Sequence, residues 1–168
     1  MGSVGDALVI GLGNPILSDD GIGWRVAQHL RAALEGNRDL NPIDGVDIRE
    51  AAVGGLSLVE MMVGYDRVVV IDAIVTRQSV PGTVTCLTLS DLPGSLNSAS
   101  AHDTNVLTAL HALRRFGANV PQSDMISVVA VEASDVLTFA ERCTPAVESA
   151  IPLAVSVVLE CLRRVAVN

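Results

Sequence analysis

The sequence predicts an α/β fold, with a mainly parallel twisted sheet of about five strands and helices on both faces. Three observations predict it. Apolar runs of strand length, Leu8-Val9-Ile10 and Val68-Val69-Val70-Ile71, are continuous rather than alternating, as in strands buried on both faces. Segments with helical apolar spacing lie between such runs, as parallel crossovers require. Hydrophobic residues make up 49% of the 168 positions, enough for one core in a single domain spanning 1–168.

Each element follows from its own pattern. Residues 6–12 form the first strand. Residues 21–35 form a helix with Ile22, Val26, Leu30, Ala33 and Leu34 on one stripe. After a polar loop, 36–45, comes a strand near 46–52, and Gly54-Gly55 opens a short helix over Leu56–Met62. Arg67–Ile74 is a strand dominated by β-branched residues. Thr83–Leu89 is another, after the turn Val80-Pro81-Gly82, and is expected to be its antiparallel hairpin partner in a mixed sheet. Residues 90–101 are loop. His102–Phe116 reads as a helix and Ile126–Val131 as the last strand. A long C-terminal helix starts at Thr144-Pro145, threonine as N-cap and proline at the first helical position, with Pro152 expected to kink or interrupt it.

The charge balance excludes several chemistries. Net charge is -8, and all eleven basic residues are arginine. A Walker lysine, a Schiff-base lysine and a Ser-Lys dyad are therefore absent, and the acidic balance argues against nucleic acid. No apolar run approaches the ~20 residues of a membrane span, and no signal peptide is visible, so a cytoplasmic protein is expected. Cys86, Cys143 and Cys161 form no C-x-x-C pair, which fits a reducing compartment. Cys86 and Cys161 read as core residues and Cys143 as a helix-entry residue, none of them a nucleophile.

The polar residues that remain converge on one edge. The run Leu8–Leu12 ends in Gly11-Leu12-Gly13-Asn14-Pro15, followed by Asp19-Asp20-Gly21-Ile22-Gly23. Glycine turns after a first strand often cradle phosphate, but this one delivers carboxylates, which repel it. Asp72 directly follows four apolar residues, where an ionised carboxylate is costly unless it is paired, hydrogen-bonded or metal-bound. His102 opens a later helix. In open α/β sheets, ligands collect at the carboxyl ends of the strands, and Asp20, Asp72 and His102 all head there. Two carboxylates and an imidazole make an oxygen/nitrogen ligand set. Asp19 reads as a helix N-terminal residue, a role equally open to Asp20 on spacing alone. His29 and His111 read as surface residues, and Glu132 as at most an outer carboxylate of the edge.

These residues resemble a known family. The opening motif Gly11–Gly23, then Val70-Ile71-Asp72-Ala73, Ser100-Ala101-His102, and Leu137–Glu141 leading to Thr144-Pro145-Ala146-Val147-Glu148 look like the hydrogenase maturation proteases. The likeness runs in order along nearly the whole chain. It implies a three-layer α/β/α sandwich and an endopeptidase that trims the C-terminal extension of a [NiFe]-hydrogenase large-subunit precursor. It also implies that Asp20, Asp72 and His102 contact nickel, supplied by the substrate, for which another divalent metal can substitute. Asp20 and Asp72 are then the candidate catalytic carboxylates. Some relatives carry glutamate where this chain has Asp20, one methylene shorter.

Three other readings stand beside this one. A nickel-binding assembly chaperone would need the same ligands without cutting. Peptidyl-tRNA hydrolases also open with Gly-Leu-Gly-Asn-Pro, but they continue with a catalytic histidine that this chain lacks before His29. A dinucleotide module fails because Ile16 stands where the third glycine belongs.

Overall fold

The computed structural model describes residues 7–36, 45–91 and 106–163. Five strands form one sheet: β1 (Ala7–Leu12), β2 (Val46–Ala51), β3 (Arg67–Ile74), β4 (Val84–Thr88) and β5 (Ile126–Glu132). Their order is β2-β1-β3-β5-β4, and β4 alone runs antiparallel to its neighbour. The helices are α1 (Ile22–Gly36), α2 (Gly55–Met61), α3 (Val106–Arg115), α4 (Pro145–Glu148) and α5 (Ile151–Arg163).

Alternation along the strands sorts the core into two layers. Ala7, Val9, Val69, Ile71, Val129 and Val131 pack against Ile22, Val26 and Leu30 of α1 and Ile151, Ala154 and Val158 of α5. Leu8, Ile10, Leu12, Val68, Val70 and Val128 pack against Leu58 and Val59 of α2 and Ala109 and Leu110 of α3. The architecture is the expected three-layer sandwich. The inner strands β1, β3 and β5 are buried almost throughout, whereas β2 and β4 are mostly half-buried, as edge strands are.

One expectation needs adjustment, and another is met. The strand after β3 is antiparallel but is no hairpin partner, because β5 lies between β3 and β4 and pairs with both. Burial explains the order: β5 is apolar on both faces and takes an inner position, leaving half-exposed β4 at the rim. The C-terminal helix is interrupted before Pro152, and α5 begins at Ile151. Proline stands in the first turn of α5, where its missing N–H deprives no helical bond.

The sheet order also locates a crevice. From β1 the chain crosses to β2 on one side, then returns to β3 on the other, so the carboxyl ends of β1 and β3 flank a topological switch point. At that place α1 approaches the sheet backbone to backbone. A Cβ on Gly23 would lie 2.2 Å from the Leu12 carbonyl oxygen and 2.5 Å from that of Ile71, and one on Gly11 would lie 2.3 Å from the Gly23 oxygen.

Candidate active site

The turn between β1 and α1 carries the first carboxylate. Leu17 N–H donates to Asn14 O at 3.1 Å and Asp20 N–H to Leu17 O at 2.8 Å, winding the chain into a 3₁₀ turn over Ser18–Gly21. Gly13 has φ +127°, and a Cβ there would lie 1.9 Å from the Asp20 carbonyl oxygen, so only glycine fits. Ser18 takes a left-handed φ of 33° without being glycine. The half-buried Asp20 carboxylate accepts the Asn14 N–H at 2.8 Å. Burial raises its pKa above the ordinary aspartate value, opposed by that backbone hydrogen bond.

Asp72 sits near the carboxyl end of β3, 7% exposed, with Oδ1 accepting the Ala73 N–H at 2.9 Å. It continues the series Val68, Val70 on the α2/α3 side of the sheet and lines a cavity of about 20 Å³ with Leu12, Met62 and Val106. Asp20 and Asp72 reach the same edge because Gly23, three residues after Asp20, touches the Ile71 carbonyl, one residue before Asp72. His102 lies outside the described residues. Among the described residues, no group of three or more His, Cys, Asp or Glu stands close enough to hold a metal ion. Here the edge offers a pair of oxygen donors. His29 and His111 are exposed, as expected.

Asp19 is not the helix-end residue that its position suggests. It is 0% exposed, and its carboxylate accepts four hydrogen bonds: from Ser134 N–H (2.8 Å), Asp135 N–H (2.9 Å), Thr144 N–H (2.6 Å) and the Thr144 hydroxyl (3.0 Å). Thr144 is the N-cap of α4 but makes no side-chain cap bond, because its hydroxyl serves Asp19. Asp19 N–H donates to Asp135 O, Ser18 N–H to Ala140 O and Ala140 N–H to Ile16 O, so two distant loops are stitched together. Arg25 spans the same seam, its guanidinium donating to the carbonyls of Pro15 and Glu141. The loop stiffens itself as well: Asp135 Oδ1 accepts the N–H groups of Leu137 and Thr138, which, with the Thr138 hydroxyl, hold its carboxyl below the usual range.

Glu132, 2% exposed, ends β5 and accepts the Thr76 N–H, the Thr76 hydroxyl and the Arg77 N–H, at 2.9, 2.8 and 2.9 Å. It anchors the chain leaving β3, opposite Ile74 in the β3–β5 pairing. Cys143 is buried, donates its thiol to Ser18 O at 3.6 Å, and has its pKa pushed up to about 11, by burial first and then by the negative charges of Glu148 and Asp19. Such a group is a thiol at neutral pH, which disfavours it as a nucleophile. Sequence spacing carried no sign of the Asp19 clamp, whose partners are 115 to 125 residues away.

The family model for hydrogenase maturation proteases, HycI, matches residues 25–161. The chain belongs to the hydrogenase maturation protease family. Like its family, the protease is an endopeptidase of hydrogenase processing. It is 32% identical over 157 residues to the hydrogenase 2 maturation protease of Escherichia coli (strain K12), covering 93% of this chain and 90% of that one. It is 27% identical over 158 residues to the hydrogenase expression/formation protein HupD of Rhizobium leguminosarum bv. viciae, covering 93% and 73%. The structure of the hydrogenase maturating endopeptidase HybD from E. coli superposes with a TM-score of 0.75 at 30% identity, over 94% of this chain and 92% of that one. HybD from Thermococcus kodakarensis shares the fold at TM-score 0.67 and 21% identity, over 92% and 97%. The protease's opening turn lies upstream of the residues that the family model matches. No helix among the described residues is long and apolar enough to cross a membrane.

Proposed function

We propose that this protease removes the C-terminal extension of a [NiFe]-hydrogenase large-subunit precursor once nickel has been inserted, and that Asp20, Asp72 and His102 recognise the nickel carried by the substrate. The observation that carries the reading is the division of labour at the sheet edge. Asp19 and Glu132 are consumed by backbone donors, while Asp20 and Asp72 are brought by backbone packing to the switch-point crevice. Val106 lines a cavity with Asp72, and His102 precedes Val106 by four residues, which supports an imidazole as third ligand. The surroundings suit a polypeptide better than a small polar molecule. Leu137 and Phe139, 82% and 79% exposed, stand on the loop clamped to Asp19, and exposed Ile16 stands on the turn beside it.

Nickel would polarise the scissile carbonyl or a bound water, with a carboxylate as base. The raised pKa of Asp20 favours a second scheme for the same cut, in which Asp20 and Asp72 divide the acid and base roles without metal. The deciding experiment presents nickel-loaded and nickel-free precursor to the wild type, His102→Ala and His111→Ala, and weighs the products. Cleavage of loaded precursor alone, lost in His102→Ala and kept in His111→Ala, is expected. Equal cutting of both precursors, or an active His102→Ala enzyme, overturns nickel recognition and leaves the carboxylate pair.

A further inference from the structure

Cys86 and Cys161 are 75 residues apart in sequence, yet their sulfurs lie 2.7 Å from each other. A disulfide bond is about 2.05 Å, so the two sulfurs are already close to bonding distance. Cys86 is half-buried on β4, and Cys161 is buried on the last turn of α5. Both are thiols. The two elements are packed against each other within one core layer, so little movement separates the pair from bonding distance.

We propose that Cys86 and Cys161 form an oxidation site, a dithiol that hydrogen peroxide converts to an intramolecular disulfide fastening edge strand β4 to α5. The more exposed Cys86 thiolate attacks peroxide. The O–O bond breaks, Cys86 becomes a sulfenic acid and hydroxide leaves, to be protonated to water. The Cys161 sulfur then attacks the Cys86 sulfur, the S–S bond forms and the S–O bond breaks. The departing hydroxyl leaves as water with the proton from Cys161. Two thiols lose two electrons and two protons, and one peroxide becomes two waters. Cys143 is a built-in control, since its buried thiol with a pKa of about 11 contributes almost no thiolate. The disulfide closes a long loop and so stabilises the fold.

The test uses the purified full-length chain, and its readouts do not involve cleavage, so they stand whatever becomes of the proposed substrate. Wild type is treated with excess hydrogen peroxide, quenched, unfolded and titrated for thiols. Titratable thiols are expected to fall from three to one, with a mass loss of two hydrogens and a tryptic peptide linking Cys86 to Cys161. The midpoint of thermal unfolding is expected to rise by about 5 °C or more and to return on treatment with dithiothreitol. Cys143→Ser is expected to lose both remaining thiols, and Cys161→Ser to show no loss of hydrogens. Retention of three thiols, oxygen added at Cys86 of the wild type without a cross-link, or a disulfide through Cys143 overturns the proposal.

Discussion

Asp19 and Asp20 adjoin in the chain and are treated oppositely by the fold. Asp19 is sealed from solvent, with four donors on its carboxylate. Asp20 is half-buried, takes one N–H from Asn14, and carries a raised pKa. On the neighbouring strands two buried carboxylates are placed differently: Glu132 binds the chain leaving β3, and Asp72 lines the small cavity with Leu12 and Val106. A carboxylate that satisfies backbone N–H groups is spent on structure, and its removal uncovers them. One that is only half-buried, as Asp20 is, stays within reach of solvent and substrate. Under the proposed function, Asp19 and Glu132 build the edge, and Asp20 and Asp72 would use it.

The largest effect should come from the users. Asp20→Asn and Asp72→Asn are each expected to fold and to lose cleavage by about 10²–10⁴-fold, the usual range for an acid or base. Product mass against time on nickel-loaded precursor checks this. Near wild-type turnover by Asp20→Asn would leave Asp20 only a helix-end role, since asparagine caps as well as aspartate.

The builders should fail differently. Asp19→Ala leaves several buried donors without a partner and is expected to cost about 3–5 kcal/mol, read as a lowered urea midpoint. Thr144→Val removes one of the four bonds and should cost about 1 kcal/mol, with cleavage retained in the folded fraction. A Thr144→Val enzyme as inactive as Asp20→Asn would erase the distinction between the two aspartates.

A smaller effect has a sign of its own. Because the folded pKa of Asp20 lies above its unfolded value of 3.8, protonation favours the folded state. That stabilisation is complete below pH 3.8 and is lost as pH rises through the raised value, so the ionised group is a net cost at neutral pH. Asp20→Asn should therefore raise the thermal midpoint at pH 7, and the gain should vanish toward pH 3. A variant that is inactive yet more stable at pH 7 would mark a residue kept for function at the expense of the fold. A lowered midpoint at pH 7 would count Asp20 among the builders.

The smallest expected effect is at Cys143. Cys143→Ser should cleave like wild type, its only loss a modest one in stability from packing. Abolished cleavage by the folded variant would bring a thiol into the chemistry after all.

What could be read in advance follows physical range. Val68–Ile71 and Leu8–Ile10 announced inner strands because burial on both faces selects continuous apolar residues. Pro152 announced an interrupted helix because a missing N–H acts locally. The place of β4 was not legible: its antiparallel sense followed from a turn nearby, but its neighbour depended on where β5, some forty residues later, would insert. Asp20 and Asp72 stood out because glycine turns and strand-end carboxylates are local signs. Asp19 was misjudged because every partner of its side chain comes from the other end of the chain. The meeting of Cys86 with Cys161 was hidden for the same reason, each looking like ordinary core.

The seam at Asp19 also sets an order of events. Its donors arrive 115 to 125 residues after it, and the bridge from Leu17 to Ala140 spans a similar length. Closing loops of that size is entropically costly and slow compared with forming α1 or the pairing of β1 with β2. A chain emerging from the ribosome can therefore assemble much of its sheet while the turn bearing Asp20 still lacks its fastening. The left-handed Ser18 lacks the Ala140 carbonyl and the Cys143 thiol that bond it until those residues are present. The turn bearing Asp20 is therefore fastened only after residues 134–144 have been made, and a lesion there loosens that turn without touching Asp20 itself.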